Sequence, residues 1–121
     1  MRAIETQCVG LWQEAQAVLW MGRCGLCKNE GHAGHHIIPR GYFLTKFELL
    51  NGIYLCTPCH NLIEDNPAER ERMNAHIRQV YPALWEWHEE MRPKAKQTHG
   101  GWSIDELKEI RTYLKEFICT Q

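Results

Sequence analysis

Two Cys-x-x-Cys pairs, Cys24/Cys27 and Cys56/Cys59, flank the segment 28–55 of a 121-residue chain. Four thiols at this spacing can surround one tetrahedral metal ion, and zinc, with Zn–S bonds of about 2.3 Å, is the usual occupant. Such a clamp constrains the chain strongly. It would bring two distant knuckles to one point, close the intervening loop, and fix the start of the segment after Cys59. In so short a chain the apolar core is small, so a metal crosslink contributes a large share of the folding energy. The clamp leaves a surplus, because four cysteines already saturate tetrahedral zinc. His35, His36 and Asn51 lie inside the closed loop, and His60 and Glu64 follow its far end.

Metal binding is favoured over disulfides by the rest of the sequence. The opening MRAIETQCVGLWQEAQAVLW interleaves Glu and Gln with its apolar residues, unlike a signal peptide or a membrane span. The chain is therefore expected in the cytoplasm, where thiols stay reduced, and away from membranes. Cys8 and Cys119 fall outside the cluster and suit buried or spare thiols.

Residues 2–21 carry apolar side chains at helical spacing, from Ile4 through Cys8, Leu11, Trp12 and Ala15 to Leu19. A glycine-punctuated turn over 24–31 suits a metal knuckle. His35-His-Ile-Ile38 predicts a short strand ended by Pro39, residues 40–50 a loop, and Gly52–Cys56 a second strand. Thr57 followed by Pro58 predicts a helix capped at Thr57, which places Cys59, His60 and Glu64 on one short helix. Asn66-Pro67-Ala-Glu69 signals another helix over 67–79, and a third is expected near 82–91. Residues 92–102 (RPKAKQTHGGW) are polar and basic, and predict a linker. Ser103 and Glu106 form a capping-box pattern that opens a last amphipathic helix.

Two local geometries matter for chemistry. His60 and Glu64, at i and i+4, lie on one helical face and can chelate a second cation if a strand residue joins them. His35 and His36 are neighbours on a strand, so they point to opposite faces. One can reach the metal and the other is left free. Plainer roles exist for each: Asn51 before Gly52 is a turn signal in itself, and Glu64 and Arg40 suit solvated surface positions.

At these residues, in HHIIPR (35–40) and NGIYLCTPCH (51–60) embedded in CGLC and CTPC, the chain resembles the HNH endonucleases, also called ββα-metal or His-Me finger nucleases. It is most similar to the zinc-stapled branch frequent in phages and prophages, and the likeness covers about 24–66. The resemblance implies an α+β fold in a single domain: an N-terminal helix (1–23), a zinc-stapled ββα-metal core (24–66) and a helical extension (67–121). It implies DNA as substrate, in a bacterial or phage-infected cell. His36 would be the general base that activates water, and Asn51 would hold the loop and that histidine in place. His35, His60 and Glu64 would bind a catalytic divalent metal, with Mg, Mn, Ni, Co or Zn all compatible with two imidazoles and a carboxylate. Arg40 would contact a phosphate, and Cys24, Cys27, Cys56 and Cys59 would hold the structural zinc. His35 stands where many members have aspartate, and Glu64 where His or Asn is common.

The formal charge of −1 supplies no global basic field, so contact with DNA must rest on local charge. The C-terminal helices lie outside the resemblance and offer a surface for a protein partner. A zinc-finger module that binds nucleic acid or protein without catalysis is the alternative that the cysteines alone would allow.

Overall fold

The computed structural model describes residues 2–121 as five helices and a two-stranded antiparallel sheet, an α+β arrangement. Helix α1 (Ala3–Leu19) ends where Met21 and Gly22 turn left-handed, at φ 56° and 72°. The chain then forms the first cysteine knuckle, closed by Lys28 N–H donating to the Cys24 carbonyl at 3.0 Å. Strand β1 (Ala33–His36) follows, then a loop holding one 3-10 turn (Phe43–Thr45), then strand β2 (Gly52–Leu55). Helix α2 (Thr57–Glu64) leads directly into α3 (Pro67–Val80), α4 (Pro82–Gln97) and α5 (Ile104–Cys119).

The predicted caps of α3 and α5 form. The Asn66 side chain accepts from the Ala68 and Glu69 amides, and Ser103 with Glu106 makes the reciprocal capping box. Three boundaries differ from expectation. The first strand covers 33–36 rather than 35–38, because the Ile38 backbone bonds to the Asn51 side chain instead of a strand neighbour. Helix α2 is capped by Cys56 rather than Thr57, since the Cys56 carbonyl already accepts from the His60 amide. The expected linker 92–102 is helical up to Gln97, with Pro93 inside α4. Pro93 removes one helical hydrogen bond, but Ala95 beyond it is fully buried, and that packing carries the helix onward.

The register pairs His35 with Ile53 and His36 with Gly52. One face of the sheet therefore carries Ala33, His35, Ile53 and Leu55, and the other Gly34, His36, Gly52 and Tyr54. Ile53 and Leu55 join a core with Cys24, Cys56, Ile63, Met73 and Ile77, on the side of α2 and α3. A second core gathers Cys8, Trp12, Ala15, Phe47, Leu107 and Leu114, where α1 meets α5. Cys8 is buried there and Cys119 is exposed. Among the described residues no helix is long and apolar enough to cross a membrane.

Candidate functional site

The knuckle after α1 and the junction of β2 with α2 bring the four paired cysteines together. The sulfurs of Cys24, Cys27, Cys56 and Cys59 all lie within 4.8 Å of one another, and Cys27 Sγ is 3.6 Å from Cys56 Sγ. A tetrahedron with Zn–S bonds near 2.3 Å has edges of about 3.8 Å, so the cluster could hold such an ion. Burial opposes ionisation of Cys24, but backbone amides of Cys27, Cys56 and Leu26 overcome it and bring the thiol down to about 6. Burial and the neighbouring thiols push Cys59 up. A cation among the sulfurs would favour the thiolate form of each.

The two histidines of β1 diverge as their strand positions require. His35 faces His60 on α2, edge to face, with ring centroids 5.6 Å apart. Two imidazoles sharing a metal at Zn–N distances near 2.1 Å hold their ring centres roughly 5–6 Å apart, so this spacing fits common ligation. One helical turn beyond His60, Glu64 places Oε2 3.2 Å from His60 Nε2. Burial, and then the nearby His60, bring His35 down to about 4, which leaves its ring neutral and able to ligate near neutral pH. The three donors are gathered less tightly than the thiols. Among the described residues, only the cysteines have all their ligand atoms within 4.8 Å.

His36 lies on the opposite face. Its Nε2 is 2.8 Å from the Lys46 carbonyl oxygen, and a carbonyl can only accept. The proton therefore sits on Nε2, and Nδ1 keeps its lone pair. Burial brings His36 down to about 4, although the bond to Lys46 pulls the other way. Asn51 is fully buried and ties the two ends of the loop together. Its Oδ1 accepts from the Ile38 amide at 2.7 Å, and Nδ2 donates to the carbonyls of Ile38 at 2.9 Å and Thr45 at 3.0 Å. The backbone that carries Lys46 is thereby held one residue from an Asn51 contact. Arg40 is exposed on this loop, near enough for its charge to oppose protonation of His36.

Three contributors escaped the sequence reading. Arg70 on α3 donates to the Ile63 and Glu64 carbonyls at 3.1 and 2.9 Å, capping the end of α2 beside the histidine pair. Gln13 pairs its amide with both backbone groups of Gly34, at 3.0 and 2.7 Å. Trp12 lies flat against the His36 ring. Each sits at an ordinary helical position, and nothing in the local pattern marks it. No family model, curated protein or solved structure matches the chain.

Proposed function

We propose that this protein is a zinc-stapled, metal-dependent endonuclease of the HNH type that hydrolyses phosphodiester bonds in DNA. One observation carries the reading. The hairpin carries two adjacent imidazoles that point to opposite faces, His36 with its Nε2 held at the Lys46 carbonyl and His35 facing His60, which pairs with Glu64. A structural zinc needs neither group, since the cysteines suffice for it. The alternative, a zinc-stapled binding module without catalysis, rests on the cysteine cluster and leaves this arrangement unused.

In the proposed reaction His36 Nδ1 takes a proton from a water as its oxygen forms a bond to phosphorus, and the bond to the leaving 3′-oxygen breaks. The Lys46 carbonyl holds the Nε2–H, which fixes the tautomer and leaves the Nδ1 lone pair to take the proton. A phosphodiester beside His36 would raise its proton affinity above the low value set by burial, bringing the base closer to neutrality. His35 and His60 would hold a divalent cation from two sides, with Glu64 turning from its contact with His60 to join them. Such a cation supplies stabilisation of the negative charge that grows on the phosphate and the leaving oxygen. Arg40 would meet a neighbouring phosphate from the loop.

The test is cleavage of supercoiled plasmid with Mg, Mn, Ni, Co or Zn, or with EDTA, comparing the parent with His36→Ala. We expect metal-dependent nicking or linearisation, at least roughly 100-fold weaker in His36→Ala, since a positioned general base typically contributes 10²–10⁴-fold. His36→Ala should still fold and bind zinc, at a lower melting temperature, since it loses the ring packed on Trp12 and the bond to the Lys46 carbonyl. A parent that binds one zinc, folds and leaves DNA intact with every metal would favour the binding module.

A further inference from the structure

We infer that Trp12 is a positioning residue for the histidine base, its indole fixing the rotation of the His36 ring. The inference rests on the nuclease reading above. The centroids of the two rings are 3.9 Å apart and their planes differ by 8°. One hydrogen bond from Nε2 to Lys46 places that end of the imidazole, but leaves the ring free to rock about the line from Cβ to Nε2. Rocking would swing Nδ1, the reactive atom, through an arc. A parallel indole pressed on one face removes that motion.

The plate itself is held from behind. Trp12 is fully buried, and its Nε1–H donates to the Glu48 carbonyl at 2.9 Å, in the same loop as Lys46. The sheet is cut away to admit it. A Cβ on Gly34 would stand 3.0 Å from Trp12 Cζ3, and one on Gly52 2.8 Å from Cζ2. Gly52 is the register partner of His36, and Gly34 lies two residues before it on the same face. A Cβ at either position would press on Gln16 and Trp12, so those side chains would have to shift. Filling a core needs only apolar volume, which a leucine at position 12 would largely supply. A parallel seat over one imidazole, with glycines on both strands making room for it, is a more specific arrangement.

The experiment compares parent, Trp12→Phe and Trp12→Leu by steady-state plasmid or oligonucleotide cleavage and by NMR of the His36 ring protons, assigned through their loss in His36→Ala. Zinc content and melting identify which variants fold. In the parent, the His36 ring protons should resonate well upfield, under the indole ring current. The shift should shrink in Trp12→Phe and vanish in Trp12→Leu. Because Trp12 lies beneath His36, KM should hold while kcat falls in the order parent, Phe, Leu. Misplacement of a reacting group by about 1 Å can slow a reaction by 10²-fold, so Trp12→Leu should lose roughly 10–100-fold in kcat. If Trp12→Leu does not fold, Trp12→Phe decides alone: a several-fold loss of kcat at unchanged KM supports the role, and parental kcat overturns it. A parent His36 without the upfield shift overturns the stack itself. A parent that cuts no DNA but keeps the shifted resonances would instead sink the nuclease reading, leaving the packing in place.

Discussion

Asn51 commits both ends of its amide to backbone. One oxygen and one NH2 group replace the strand partners that Ile38 lacks, and Thr45 is held by the same nitrogen. All of this is buried, so no water can substitute. Asn51→Ala would leave the amide and the carbonyl of Ile38 without partners, while the Thr45 carbonyl keeps the Glu48 amide at 3.2 Å, and should destabilise the protein by about 2 kcal/mol or more, since each unsatisfied buried group costs roughly 1–3 kcal/mol. Asn51→Asp preserves the shape and the acceptor for Ile38 N–H. It also turns the two donated bonds into a carboxylate oxygen facing two carbonyl oxygens, so it should be at least as harmful as alanine. Chemical denaturation of the three proteins checks both statements, and an Asn51→Asp protein of parental stability would show that the amide nitrogen carries little. The Asn-Gly pair at 51–52 marks a turn in the sequence. That the same side chain holds the backbone of Ile38, thirteen residues earlier and just past the end of β1, depends on the folded loop, which local turn chemistry does not specify.

At the scale of elements, α1 and the hairpin are fitted face to face. The glycines of that sheet face admit the buried side chains of Trp12 and Gln16, and Gln16 Nε2 reaches the Leu49 carbonyl at 2.9 Å. A Cβ at Gly52 would stand 2.4 Å from Gln16 Oε1 and 2.8 Å from the Trp12 ring, both fully buried, so the neighbours have little room to yield. Gly52→Ala should therefore destabilise by roughly 1–3 kcal/mol, in the range of overpacked cores. Gly10, within α1, has no atom within 4 Å of where its Cβ would lie. Gly10→Ala should stabilise by about 0.5–1 kcal/mol through helix propensity alone. Opposite signs in two melting curves test the fit; a neutral Gly52→Ala would mean that α1 slides freely on the sheet. The sequence shows α1 as an amphipathic helix because its 3.6-residue period is local. What its buried face covers is not a local property. Hence the partnerships of Trp12, Gln13 and Gln16 with the hairpin stay hidden until the chain is folded. The same limit explains 92–97, where lysines and a proline suggest a linker but burial of Ala95 extends the helix.

For the molecule as a whole, the cysteine cluster joins one of two cores and not the other. Cys24 and Cys56 are buried among Ile53, Leu55, Ile63, Met73 and Ile77, while the core of Cys8, Trp12, Leu107 and Leu114 contains none of the four clustered thiols. The cluster was legible from spacing because ligation needs few residues at fixed intervals. The division of the core was not, since it follows from which helix faces meet. If the cluster binds zinc, the protein should carry one equivalent, and removing it should act unevenly. Four thiols packed within 4.8 Å have no ionic partner once the metal is gone, so the α2–α3 side should loosen. Where α1 packs on α5, apolar burial and the Ser103–Glu106 capping box persist without metal. We therefore expect chelation of the metal, followed by hydrogen exchange, to raise exchange across 52–77 well before 3–18 and 104–118. Cys56→Ser should reproduce this pattern without a chelator. Should the proposed nuclease activity be found, it should also be lost in the chelated protein and not return on adding Mg alone, because His60 rides on α2 directly after Cys59. Uniform loss of protection along the chain would show that the two cores open as one unit, and unchanged exchange over 52–77 would show that the cluster holds no structural metal.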